Sequence, residues 1–186
     1  HEFDYGFDVL EALKEELNCG YICANFCTSD GEVVYEPYRI IECDGKKIAF
    51  IGVDTPDTFS RSVIHEMTDD LGVPMYDFKA EETGESLYSC LQGYIDEVHE
   101  KGADFVILVG HLGNSADSTD AFNSPAVISN LRGLDAVIDG HSHQKYNTTT
   151  PDADGQAIPL AQTGSYFQNV GVMILGSDGS VNIDLL

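Results

Sequence analysis

The chain has 186 residues, 42% of them hydrophobic, which is enough to bury a core and makes one domain over 1–186 the expected organisation. Its 32 acidic and 9 basic residues give a formal charge of −23, which excludes gripping a nucleic-acid backbone through a general electrostatic footprint. The same charge repels a phosphorylated small molecule unless local cations intervene, and no apolar run of about 18 residues exists to span a membrane.

From Gly6 to Leu17, Phe7, Leu10, Leu13 and Leu17 recur at three and four residues and predict an amphipathic helix, stopped at Asn18 to Gly20. Residues 21–26 read as a short buried strand. Cys19, Cys23 and Cys27 then read as small core residues; with Cys43 and Cys90 the total is five, without CxxC spacing, so neither a disulfide framework nor a zinc ribbon is expected. Tyr38–Glu42 and Lys47–Val53 flank Asp44-Gly45, the turn chemistry of a hairpin. Thr55-Pro56-Asp57-Thr58 breaks the chain, and 59–82 is acidic and irregular.

A second helix is predicted over Gly84–Lys101, with Leu87, Leu91, Tyr94, Ile95 and Val98 facing inward. Next come an apolar strand at 104–109, a polar loop at 111–121, a helix near 124–132 and a strand at 135–138. The end is β-rich, with strands at 157–162, 168–175 and 180–185. This order predicts a layered α/β fold with mixed sheets, not a doubly wound one; no GxGxxG or P-loop is present.

Two strand ends carry the chemistry. Leu134–Asp139 runs into Gly140-His141-Ser142-His143, and in extended chain residues i and i+2 point to one side, so both imidazoles can meet one centre. Val109-Gly110-His111 repeats the pattern of apolar strand, glycine and histidine. Three histidines on one sheet edge make a partial site for a divalent first-row metal; solvated loop histidines are the bland alternative. At the start, His1 and Asp4 either pair, the carboxylate orienting the imidazole, or reduce to a helix cap and a frayed end; local evidence favours the cap.

Other features are weaker. Asp152-Ala153-Asp154-Gly155 reads as a plain turn rather than a calcium loop, and Asn147-Thr148-Thr149 matches a glycosylation acceptor. His65 and His99 read as solvated or structural, while Asn114 and Asp117 are placed to assist the His111 loop.

The ordered set of motifs resembles a known family. His1-Glu2-Phe3-Asp4 is similar to the tail of the Gly-Asn-His-Glu-Phe-Asp motif of the 5′-nucleotidase and 2′,3′-cyclic-nucleotide phosphodiesterase branch of the calcineurin-like metallophosphoesterases. Cys23-Ala24-Asn25, Gly52–Thr58, Val109–Gly113, Asp139–His143 and Gln162–Tyr166 resemble further segments of that family, in its order and over nearly the whole chain. The resemblance implies a metallophosphoesterase-type α/β/β/α sandwich and hydrolysis of nucleotide phosphate esters. It implies two divalent metals (Zn, Mn, Co or Ca) clamping phosphoryl oxygens and activating water. His111 and His141 would hold one metal and His143 the other, with His1 as the catalytic histidine on the phosphate, held by Asp4. No substrate-binding residue is assigned.

The family's Asp-x-His, Gly-Asp and Gly-Asn motifs, with the aspartate that bridges its metals, have no counterpart here, nor does its C-terminal specificity domain. The chain therefore reads as the second half of a catalytic domain with its N-terminal part missing, binding metal weakly and inactive alone. The resemblance also implies an extracellular, cell-surface or periplasmic setting. Rival readings are a sulfur-ester hydrolase on the same scaffold and a non-catalytic binding or scaffold module.

Overall fold

A computed structural model of the chain describes residues 3–61, 68–114 and 120–186. In chain order the elements are α1 (Phe7–Glu16), β1 (Cys27–Thr28), β2 (Tyr38–Cys43), β3 (Lys46–Asp54), α2 (Thr58–Arg61) and β4 (Tyr76–Asp77). Then follow α3 (Glu85–Glu100), β5 (Phe105–His111), α4 (Ser124–Ser129), β6 (Ala136–Asp139), β7 (Lys145–Pro151), β8 (Ala157–Thr163), β9 (Gly171–Leu175) and β10 (Val181–Leu185).

Six strands form a mixed sheet in the order β2-β3-β5-β6-β8-β7. The central four, β3, β5, β6 and β8, run parallel, and β2 and β7 close the edges antiparallel. β5 is apolar on every residue from Phe105 to Leu108 because both of its faces are covered. Val106 and Leu108 join Ala49, Ile51 and Val53 under the helices, where α3 lays down the fully buried Leu87, Leu91, Ile95 and Val98. Phe105 and Ile107 face the other way, onto Met173, Leu175, Val181 and Ile183 of the β9–β10 hairpin. The layers are thus helix, mixed sheet and a second, two-stranded sheet.

α3 stops where Gly102 turns left-handed (φ 80°), its N–H bonding to His99 O and that of Ala103 to Val98 O. A separate aromatic cluster of Phe3, Phe26, Tyr35 and Phe78 packs α1 and the β1–β4 pair to one side.

Several expectations need correcting. Only Leu10 of α1 is fully buried; Leu13 and Leu17 are about half exposed, because the aromatic cluster meets one narrow stripe of the helix. Residues 21–26 are not a strand. Ile22 makes a single bridge to Glu36, and the segment lies against β3 where Gly52 has no side chain: a Cβ there would stand 2.1 Å from Ile22 O. Of the thiols read as core, Cys27 is buried, Cys23 partly so and Cys19 exposed. β7 was not expected; Lys-Tyr-Asn-Thr-Thr-Thr-Pro forms a polar edge strand whose partner β8 carries the apolar face. No helix of the described residues is long and apolar enough to cross a membrane.

Candidate active site

The four parallel strands end at one edge of the sheet, the usual place for ligands in open α/β sheets. Register fixes who meets whom there: Asp54, the last residue of β3, pairs with His111, the last of β5, and Asp139, the last of β6, pairs with Gln162 of β8. Two histidines reach this edge as expected, by a route the strand parity did not give. β6 stops at Asp139, and His141 and His143 both adopt left-handed backbone, φ 75° and 54°. Ser142 N–H closes the turn onto Gly140 O at 3.0 Å. Such conformations are uncommon outside glycine and persist where surroundings hold them.

Gln162, 1% exposed, does the holding. Its Nε2 donates to Gly140 O (2.7 Å) and to Ser142 Oγ (3.1 Å), and its Oε1 accepts Gln144 N–H (2.8 Å). The turn swings His141 onto His111, with His141 Nδ1 3.3 Å from His111 Nε2 and the rings edge to face at 64°. Gly140 leaves room for this, since a Cβ there would stand 3.1 Å from His111 Nδ1. His143 sits exposed at the rim.

Asp139 ties the two loops together. Its buried Oδ1 accepts the N–H groups of Leu112 (2.9 Å) and Gly113 (3.2 Å), and its Oδ2 accepts the Tyr146 hydroxyl at 3.0 Å. Burial, then the Asp139 charge, pushes the Tyr146 hydroxyl well above its ordinary pKa, so it stays a donor. The Asn114 N–H reaches Ser142 Oγ at 3.4 Å.

β3 contributes the next wall. Asn25, fully buried, donates to Asp54 O (2.7 Å) and Phe78 O (2.9 Å) and accepts Asp54 N–H (3.0 Å). The Asp54 carboxylate in turn accepts Thr55 N–H (2.8 Å) and Thr58 Oγ1 (3.1 Å). Asp57, one residue before α2, points at His141 Nε2 across 3.5 Å. Burial, with the Asp54 charge in support, pushes the nearby Cys23 thiol up to about 12. It remains protonated at neutral pH and is no nucleophile.

A cavity of about 270 Å³ joins this wall to the start of the chain, lined among others by Phe3, Cys23, Asp54, Gly110 and His111. Phe3 is pinned in the aromatic cluster, and Gly6 N–H bonds back to Phe3 O at 3.2 Å. Asp4 is exposed in that turn and does not cap α1: the N-cap is Gly6, without a side-chain cap bond. His1, His65 and Asp117 lie outside the described residues. His99 is structural, its Nε2 2.8 Å from Gly133 O. The Asp152 loop is a hairpin turn, Asp152 Oδ1 accepting the N–H groups of Asp154 and Gln156.

Among the described residues no group of three or more His, Cys, Asp or Glu side chains is gathered to hold a metal. The His111–His141 pair nevertheless fits as part of one. Two imidazole nitrogens that share a tetrahedral metal at roughly 2.0–2.1 Å stand about 3.4 Å apart. The observed separation is 3.3 Å, and imidazole donors suit zinc and its first-row neighbours. Asn25 and Gln162 fall in segments that carry the resemblance, but the sequence assigns no role to them or to Tyr146; the strand register, which sets Gln162 against Asp139 and Tyr146, is the signal for those two.

A mixed α/β sheet with paired histidines at the carboxyl edge of its parallel strands defines the class: a layered α/β protein with a candidate metal-binding edge. The chain is 27% identical, over 96% of its length, to a 2′,3′-cyclic-nucleotide 2′-phosphodiesterase/3′-nucleotidase of Yersinia enterocolitica. It superposes on a 5′-nucleotidase precursor from Thermus thermophilus with a TM-score of 0.75 at 21% identity, over 100% of this chain and 37% of that one. The calcineurin-like phosphoesterase YfkN of Bacillus subtilis matches with a TM-score of 0.71 at 25% identity, over 100% of this chain and 60% of that one. No family model matches the sequence. The chain is thus similar, over nearly its whole length, to proteins named 5′-nucleotidase and 2′,3′-cyclic-nucleotide phosphodiesterase, and it shares the fold of the solved calcineurin-like phosphoesterase. It spans 29% of the length of the Yersinia relative.

Proposed function

We propose that this chain is part of the catalytic domain of a metal-dependent hydrolase of nucleotide phosphate esters, a 5′-nucleotidase or a 2′,3′-cyclic-nucleotide phosphodiesterase. The observation that carries the reading is the 3.3 Å approach of His141 Nδ1 to His111 Nε2 at the carboxyl edge of the parallel sheet. His111 and His141 hold one divalent metal in this reading, and His143, at the rim, serves a second. When bound, such ions supply positive charge to phosphoryl oxygens and acidify water, which a chain of charge −23 otherwise cannot offer a phosphate.

The chain's own residues do the rest. Asp139 and Gln162 hold the two histidine loops in register, so that the two rings are placed before any ligand arrives. His1 contacts the scissile phosphate and, as imidazolium, stabilises charge on it or helps the leaving oxygen depart, with Asp4 orienting the ring. Phe3, pinned in the core two residues along from His1, lines the same cavity as His111, which supports this placement. Motifs outside this chain complete the ligand set, and the setting is extracellular or periplasmic.

The test is phosphate release from 5′-AMP and ring opening of 2′,3′-cyclic AMP with added Mn²⁺, Co²⁺ or Zn²⁺, using the full gene product and this chain. Metal-dependent turnover by the full product, abolished by His111→Ala and His141→Ala, is expected, with little or none from this chain alone. Turnover that survives both substitutions, or that ignores chelator, would refute the assignment.

A further inference from the structure

His141 presents its two ring nitrogens in opposite directions. Nδ1 faces His111 Nε2 at 3.3 Å, and Nε2 faces the Asp57 carboxylate at 3.5 Å. Both side chains are largely withdrawn from water, 8% exposed for His141 and 17% for Asp57. We propose that Asp57 is a positioning residue: it selects the Nε2–H tautomer of His141 and so leaves Nδ1 as the nitrogen offered to a metal beside His111. This rests on the metal-binding reading above and adds to it a residue and the donor atom.

Three observations converge on it. First, Asp57 faces the nitrogen opposite to the one that meets His111, which places it to act on the metal through the ring. A metal-ligating histidine characteristically donates its second N–H to a carboxylate, which fixes tautomer and orientation together. Second, the carboxylate is mounted rigidly. Asp57 N–H bonds to Thr55 Oγ1 at 3.2 Å, Ser60 N–H to Asp57 O at 2.9 Å, and Thr58 Oγ1 to Asp54 Oδ2 at 3.1 Å, anchoring the start of α2 to the end of β3. Pro56 fixes the backbone just before it.

Third, the metal-free hydrogen bond agrees. With Nε2 protonated toward Asp57, His141 Nδ1 is an acceptor, and His111 Nε2–H donates across the 3.3 Å gap; metal binding at His111 Nε2 then requires His111 to shift to its Nδ1–H tautomer. At 3.5 Å the Asp57–His141 contact is an ion-pair distance, longer than a hydrogen bond. Ligation at Nδ1 makes Nε2–H a stronger donor and draws it toward the carboxylate.

The experiment combines ¹⁵N–¹H long-range correlation of the imidazoles in the metal-free chain, at a pH where they are neutral, with calorimetric titration by Zn²⁺ and Co²⁺. The expected wild-type result is Nε2–H at His141. Asp57→Ala should convert it to a tautomer mixture and weaken metal binding by about 10- to 100-fold. Asp57→Asn, which keeps an acceptor oxygen and guards against a mere folding defect, should keep the tautomer and lose less affinity. An Nδ1–H tautomer in a wild-type chain that binds metal overturns the role of Asp57 alone, as does an Asp57→Ala chain with unchanged tautomer and affinity. A wild-type chain with the Nε2–H tautomer that binds neither metal overturns the metal reading, and the purpose given to Asp57 with it.

Discussion

Gln162 grips the carbonyl oxygen of Gly140 across 2.7 Å, and through it strand β8 holds the turn that aims His141. Gln162→Leu keeps the volume roughly, takes from Gly140 O one of its two donors and removes the acceptor of Gln144 N–H. A polar group so orphaned costs about 1–3 kcal/mol. The expected outcome is a loss of about 1–3 kcal/mol in urea-induced unfolding, with weaker Zn²⁺ binding as the turn loosens. Gln162→Glu, which keeps Oε1, should fall between. An unchanged urea midpoint for the leucine variant would mean the turn is held by other contacts.

Asn25 joins three chain segments with one side chain: residue 25 itself, both backbone groups of Asp54, and Phe78 O. Asn25→Ala leaves two carbonyls and one N–H unsatisfied in a fully buried spot and opens a small void. A destabilisation of about 3 kcal/mol is expected, among the larger effects for a single polar substitution. Asn25→Asp keeps the acceptor for Asp54 N–H but places a charge against two carbonyl oxygens, so it should be no better. Guanidinium unfolding followed by far-UV circular dichroism reads both.

Gly52 is where the backbone of β3 comes closest to the segment around Ile22. Gly52 O accepts Ala24 N–H at 2.8 Å and Gly52 N–H donates to Pro37 O at 3.1 Å, so neither side can retreat without losing a bond. A Cβ would stand 2.1 Å from Ile22 O. Gly52→Ala is expected to cost about 2–3 kcal/mol or to prevent folding, whereas Gly45→Ala, with open space around it and only backbone strain (φ 74°), should cost about 1 kcal/mol. Parallel thermal melts decide between a steric and a merely conformational role for Gly52.

What could be read from residues alone follows the physics of each element. α3 was legible because its apolar residues recur at helical spacing, β5 because Phe105–Val109 is an unbroken apolar run, and His111 because it closes that strand after Gly110. β7 was not: its alternation is carried by Tyr146 among polar threonines, and only the partner strand makes it a strand. The Gly-His-Ser-His segment marked its histidines as candidates but not its shape, since the left-handed turn is held by Gln162, a residue from another strand. Asp57 read as part of a chain break for the same reason. Its partner lies far along the chain, and nothing local marks a carboxylate that serves a distant imidazole.

Asp135 provides a pH test away from the site. Its Oδ2 accepts Val106 N–H at 2.7 Å, and burial raises its pKa above the ordinary carboxylate value, only partly opposed by that hydrogen bond and by His99. A raised value means the folded chain holds this proton more tightly than the unfolded one. Its contribution to stability is therefore complete below the ordinary aspartate pKa and is lost as pH rises through the folded value. By neutral pH the ionised, half-buried carboxylate is a liability. Asp135→Asn keeps an oxygen for Val106 N–H and never ionises, so it should be more stable than wild type at pH 7. The difference should shrink toward zero as both chains are taken down through the carboxylate range. Urea midpoints measured at pH 7, 5 and 3.5, with His99→Ala as a second background to remove the opposing side chain, check the slope. A variant that is less stable at pH 7 would show that the ionised carboxylate is the better partner for Val106.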